Sequence, residues 1–420
     1  MRSWLQNQSR STQGEVLILC LFFIIFTLGQ LSRISISPQI SFYAHDLLVF
    51  VWLLLHLRLL VRLVRNAAHW LTKHPLIAAT VVWIIVGVIW SNFQQLQLRP
   101  LLILLRLMAY ILFACTVSVF FQGQRIALRS ILVITGNLML WLGLLQYLFI
   151  PDTRFLYILG WDDHYFRLIG PLLDPNFMGM MIILTSIFTV SVHWLLPKKA
   201  QILLQAYYAA LLALTYSRAS FATAGLSALL LAATPYPLKG WRIRHRIILA
   251  ISTVVVFSLT LLVAPKPGGE GVRLFRTSSI AARQSTATQS IQNLSYLDLA
   301  LGKGLFVNPL TYDASESAGL PQHAQVPDNI LLLLLTGTGI IGTVLILSST
   351  VYWIGSLATQ ETAIAIAVAA TVLHAQFNNT LFEPFISLFL LLAICAPLRS
   401  EMHTVATKKP FRHKRKPGVQ

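Results

Sequence analysis

Residues 328–350 read DNILLLLLTGTGIIGTVLILSST. After Asp328 no charged side chain occurs in this stretch. A helix crosses a bilayer on about 20 mostly apolar residues, so this segment predicts a membrane span. Outward from it the same pattern recurs. Apolar runs cover about twelve candidate spans, at 15–35, 45–61, 75–92, 101–121, 130–150, 175–195, 201–216, 219–235, 247–264, 328–350, 351–376 and 380–397. The expected fold is all-α: a polytopic membrane protein of about 12 transmembrane helices with one long extracytoplasmic loop.

Composition supports this. Of the 420 residues 56% are hydrophobic and only 11% charged, and the mean hydropathy is +0.70. A soluble domain carries about 25% charged residues. The chain has 32 Lys+Arg against 14 Asp+Glu, a net charge of +18. No groove-reading motif accompanies that excess, so no nucleic-acid partner is expected. It reflects instead the retention of basic loops on the cytoplasmic side of membranes. The first apolar run is long and more spans follow, so no cleavable signal peptide is expected. Cys20, Cys115 and Cys395 lie inside apolar runs and predict neither a disulfide framework nor a zinc site.

Basic residues gather in alternate connections. These are Arg58, Arg62, Arg65 and Lys73; Arg125 and Arg129; Lys198 and Lys199; Lys239, Arg242, Arg244 and Arg246; and the tail from Arg399 to Lys416. This places both termini in the cytoplasm. The chain divides into a cytoplasmic N-terminus (1–14), helices 1–9 (15–264), a long outer loop (265–327), helices 10–12 (328–397) and a basic tail (398–420) that anchors orientation and touches membrane lipid. A loop as long as 265–327 is uncommon without a function.

The chemistry is expected on the outer face. Arg218, in LTYSRASFATAGL, stands between two apolar runs. Its guanidinium either binds phosphate oxygens or snorkels to the headgroups. Arg283 lies in SIAARQSTATQS of the long loop, and Arg167 precedes the Pro175–Asn176 pair in YFRLIGPLLDPNF. Pro175 suits a first helical turn, and Asn176 either caps it or reaches a sugar hydroxyl. Asp162, Asp163 and His164 form a metal-ligand type of cluster. No second acidic cluster accompanies it in sequence, so no metal and no cofactor are expected. His323, Asp328 and His374 sit at span boundaries, where each is either a general base or an interfacial polar residue. Hydrolase, P-loop, zincin and dinucleotide motifs are absent. Gly302-Lys303-Gly304 is too short for a phosphate cradle.

The order of four motifs resembles the O-antigen ligase and polymerase family of bacterial polysaccharide enzymes. They are RLIGPLLDPNFMGM (167–180), YSRASFATAGL (216–226), SIAARQSTATQSIQNLSYLDLALGKGLF (279–306) and DNILLLLLTGTGIIG (328–342). The family usually has His-Asn where this chain has Asp328-Asn329, and an acidic residue where Gly337 stands; Gly339 and Gly342 fit its pattern. The resemblance implies glycosyl transfer on the outer face of the bacterial inner membrane. The donor is a glycan on a polyprenyl diphosphate and the acceptor a glycan or lipid hydroxyl. It implies diphosphate contacts for Arg218, Arg283 and Arg167, and a base at Asp328 or at His323, five residues earlier. Asp328 holds the position; His323 has the more suitable ordinary pKa of about 6.5. Ligase and polymerase are not separated. The alternatives are a transporter or flippase of the polysaccharide pathway, and a member that has lost catalysis.

Overall fold

The computed structural model describes residues 10–36, 41–95, 98–234, 241–267, 271–274, 284, 287–292, 294–305 and 329–396. Arg283, His323 and Asp328 fall outside the described residues.

The fold is all-α apart from one small hairpin. Helices α1 (Arg10–Phe26), α2 (Ala44–Leu55), α3 (Leu57–Thr72), α4 (Pro75–Gln95), α5 (Leu98–Phe120) and α6 (Arg125–Phe149) form the first half. Then come α7 (Pro175–Ser191), α8 (Lys198–Leu214), α9 (Arg218–Ala233), α10 (Ile243–Val263), the short α11 (Tyr296–Leu301), α12 (Ile330–Gln360), α13 (Thr362–His374) and α14 (Pro384–Ile394). Strands β1 (Arg33–Ser35) and β2 (Ser41–Tyr43) pair antiparallel between α1 and α2.

Four helical stretches are long and apolar enough to cross a membrane: Leu101–Phe120, Arg125–Phe149, Ile243–Val263 and Ile330–Gln360. Six shorter apolar helices of 10–17 residues accompany them. Among the described residues, length and composition therefore support fewer spans than the expected twelve. The core is a contiguous apolar cluster that includes Phe22, Phe26, Trp52, Phe113, Phe188, Phe385 and Phe389.

Three boundaries differ from the sequence expectation for visible reasons. The first helix stops at Phe26 rather than near 35. Gly29 takes φ +55 there, and a Cβ on it would strike the backbone of Pro171. The candidate span 45–61 breaks at His56, and α3 leaves α2 at 85°. The division expected at 350/351 falls at Glu361 instead. The Ser-Ser-Thr stretch is no breaker: Thr350 Oγ1 donates to the Ile346 carbonyl within the helix, and Ser349 Oγ meets Thr80 Oγ1 at 2.8 Å. Glu361 ends the helix by turning inward to Arg129, at 2.8 Å. Arg129, expected on a basic inner connection, is buried beside it, with Ser191 at 3.1 Å and the Phe188 ring beneath its guanidinium.

Several apolar helices start at one end of the bundle, each under a side-chain cap. Asp174 caps α7, Ser217 caps α9, Asn329 caps α12 and Glu383 caps α14. Pro175 and Pro384 fill first-turn positions where a missing N–H costs nothing. Such caps satisfy N–H groups that apolar surroundings would leave bare.

Candidate functional site at the capped end of the bundle

The turn between α8 and α9, residues 214–220, organises this end. Tyr216 adopts φ 51, a left-handed conformation costly for a bulky side chain. The strain is held by contacts on both sides. Leu168 N–H donates to the Leu214 carbonyl at 2.9 Å. The buried Arg167 donates from Nε to the Thr215 carbonyl at 3.0 Å. Arg218, the first residue of α9, donates from Nη1 to the Leu274 carbonyl at 3.3 Å. A Cβ on Gly271 would stand 3.5 Å from Arg167 Cδ. Both arginines therefore border one turn and one segment, 271–274.

Asn176 and His374 reach the same turn. Ser217 Oγ donates to Asn176 Oδ1 at 2.8 Å, and Ser220 Oγ lies 2.8 Å from Ser217 Oγ. His374 Nε2 meets Ser220 Oγ at 3.0 Å, and its Nδ1 meets Thr380 Oγ1 at 2.6 Å. Ser217, Ser220, His374 and Thr380 are fully buried. One assignment of protons gives a directed run from Thr380 through His374, Ser220 and Ser217 to Asn176, with the imidazole carrying its proton on Nε2. Asn329 joins from α12: its Nδ2 donates to the Gln376 carbonyl at 3.0 Å, and Ile330 N–H donates to the Ala375 carbonyl at 2.9 Å.

Arg167, Asn176, Arg218, His374 and Asn329 thus share one end of the bundle. Sequence reading did not single out Ser217, Ser220 or Thr380. A serine three residues before another at a helix start is the only local sign of that network, and it reads as an ordinary cap.

The TGTGIIG stretch has a visible structural task. Gly339 takes φ 65 and ψ −177, which breaks α12 into two helical pieces. A Cβ there would strike the Ala300 carbonyl, and one on Gly302 would strike the backbone of Gly337. Into this notch docks the turn after α11, with Lys303 N–H on the Thr336 carbonyl and Gly304 N–H on the Gly337 carbonyl, each 2.9 Å. Lys303 is buried 3.8 Å from Asp298.

Other arginines at this end are engaged with neighbours. Arg106 pairs with Asp46 at 3.1 Å and donates to the Ser41 carbonyl at 2.7 Å. Arg33 lies over the Trp161 ring. Arg154 holds Asp152 at 2.7 Å, and those hydrogen bonds bring the Asp152 carboxyl down to about 2.

Asp162 and His164 gain a partner that is remote in sequence from their cluster. Asp174 comes to them, and one ligand atom from each of the three lies within 4.8 Å of the others. Two carboxylates and an imidazole suit a divalent transition metal. His164 is fixed by its carbonyl, which accepts from both the N–H and the Oγ1 of Thr153 at 2.9 Å. Asp174 Oδ1 accepts from the N–H groups of Asn176 and Phe177, at 2.7 and 2.9 Å. Burial raises the Asp174 carboxyl above the ordinary range, the Asp162 charge adds to this, and the capping N–H groups and Arg167 oppose it.

No protein-family model and no curated protein matches the chain.

Proposed function

We propose that the protein transfers glycan from a polyprenyl diphosphate to an acceptor hydroxyl, as an enzyme of the O-antigen ligase and polymerase type. The observation that carries this reading is the convergence of Arg167, Asn176, Arg218 and His374 on the 214–220 turn. Arg167 and Asn176 belong to the first motif of the resemblance and Arg218 to the second, while His374 comes from a distant part of the chain outside the four motifs. In this reading the chain crosses the bacterial inner membrane about twelve times, with both termini cytoplasmic and the capped end outward.

The acceptor oxygen attacks the anomeric carbon. The new C–O bond forms as the bond to the diphosphate breaks, and the lipid diphosphate leaves with the electron pair. Arg218 and Arg167 stabilise the charge that develops there. The acceptor proton passes to Asp328 or His323. Both ring nitrogens of His374 are engaged, so it serves as a positioning residue for the turn that carries Arg218. Diphosphate is a good leaving group, and no step requires a cofactor.

The test is glycan transfer in cells that carry single substitutions. Arg218→Ala should lose transfer while still inserting. A charge-assisted hydrogen bond is worth about 1.5–3 kcal/mol, or roughly tenfold to a few hundredfold in rate. Arg218→Lys should rescue poorly, because it lacks the planar fork. Full activity in Arg218→Lys would assign Arg218 to headgroup snorkelling. Shortened glycan ladders would identify a polymerase, and unattached lipid-linked chains a ligase.

A transporter is the second reading. The break at Gly339 and the buried Arg129–Glu361 pair are features that transporters also use. Unchanged glycan with altered uptake would favour it.

A further inference from the structure

The helix α3, LRLLVRLVRNAAHWLT, stands apart from the core: it has no buried residue. At about 100° per residue, Arg58, Arg62, Arg65, Asn66, His69, Thr72 and the following Lys73 fall on one arc of about 120°. Every leucine, valine, alanine and tryptophan of the helix falls on the rest of the circle. The segment 57–73 contains no acidic residue. Its apolar arc is bare: Leu57, Val61, Val64 and Trp70 are 55%, 58%, 56% and 44% exposed.

Sixteen residues make a helix of about 24 Å, short of the roughly 30 Å hydrocarbon core. The bend of 85° from α2 turns α3 across the direction of that apolar helix. His56, at the bend, lies 3.6 Å from Glu15 near the start of α1, so α3 leaves from the end of the bundle where α1 begins. A soluble partner would leave unexplained why the cationic and apolar sectors are cleanly divided along the helix. A membrane surface fits both sectors at once.

We propose that α3 lies in the plane of the membrane surface, with its apolar arc in the acyl boundary and Arg58, Arg62 and Arg65 on the phosphates of anionic phospholipids. The three arginines form a stripe on successive turns, and guanidinium forks suit phosphate oxygens. Trp70 sits at the depth where tryptophan anchors helices. The proposal rests on the membrane location of the chain and is independent of glycosyl transfer.

The test uses the full chain, with Cys20, Cys115 and Cys395 replaced, reconstituted in vesicles of phosphatidylcholine with or without phosphatidylglycerol. Nitroxide labels go at Ala68→Cys on the apolar arc, Asn66→Cys on the polar arc and Val254→Cys midway along α10. The Ala68 label should meet oxygen and escape a water-soluble nickel complex, and the Asn66 label should do the reverse. Retention of phosphatidylglycerol over phosphatidylcholine should fall about fivefold for each of Arg58→Gln, Arg62→Gln and Arg65→Gln, the factor that about 1 kcal/mol per basic residue corresponds to. Labels both open to water, labels both shielded from both reagents as by a protein partner or a second copy, or an unchanged lipid preference in the triple variant would each overturn the proposal. A water-exposed Val254 label would remove the membrane location itself, and the proposal with it.

Discussion

Asp174 performs two tasks that pull its proton in opposite directions. As the cap of α7 it accepts two backbone N–H groups, which favour the carboxylate. Burial and the Asp162 charge favour the neutral acid, and burial is the larger influence. A carboxyl whose folded pKa lies above its unfolded value of about 3.9 stabilises the fold fully below that value, and the contribution is lost as pH rises through the folded pKa. Asn at this position keeps a cap and does not titrate. Asp174→Asn should therefore gain in melting temperature relative to wild type as the pH is raised from about 4 towards neutral. A constant difference across that range would mean that Asp174 ionises as freely in the fold as in the unfolded chain. The approach of Asp174 to Asp162 was not legible in the sequence: eleven residues and three left-handed positions, Phe166, Gly170 and Leu173, separate them. Arg218 and Asn176 were legible because each stands at a helix start between apolar runs.

Among the elements, α12 was the easiest to see and the hardest to divide. Its apolar run predicts a helix, whereas the close approach of residues 300–304 to its glycines is seen only in the fold. The break at Gly339 was hidden because glycine in an apolar helix is unremarkable in composition; only the left-handed φ reveals its task. Gly339→Ala should lower stability by about 1–3 kcal/mol, the cost of a side chain in a conformation essentially reserved for glycine. Gly355→Ala is the control, since a Cβ there meets open space in a regular helix, and it should be neutral or stabilising by about 0.5–1 kcal/mol. Both would be read as thermal unfolding midpoints, and equal behaviour of the two variants would contradict the assigned kink. Helix α3 was missed for a different reason. Its arginines read as an inner loop because the positive-inside count uses charges without asking whether they share a face.

Across the whole molecule, the apolar character was evident from composition, because 11% charge cannot cover a water-facing surface, and the all-α character from the apolar runs of about 20 residues. Contacts between distant segments were not evident. Arg129 and Glu361 are separated by 232 positions, yet pair in the interior at 2.8 Å and tie α6 to the α12–α13 turn. Breaking a buried pair strands one charge and costs about 3–5 kcal/mol, whereas replacing both partners by apolar groups is often neutral. Glu361→Gln should thus lower the unfolding midpoint sharply, and Arg129→Met combined with Glu361→Leu should restore most of it. A double variant worse than the single one would show that the pair itself, and not the unpaired charge, sets the stability. The central claim is glycan transfer at the capped end. It is tested most directly by the purified protein in vesicles, supplied with a polyprenyl-diphosphate-linked glycan and an acceptor glycan. Wild type should lengthen the acceptor and release free polyprenyl diphosphate, and Arg218→Ala, inserted to the same level, should do neither. Donor that crosses the bilayer with its glycan still attached, or release that is unchanged in Arg218→Ala, would contradict the account.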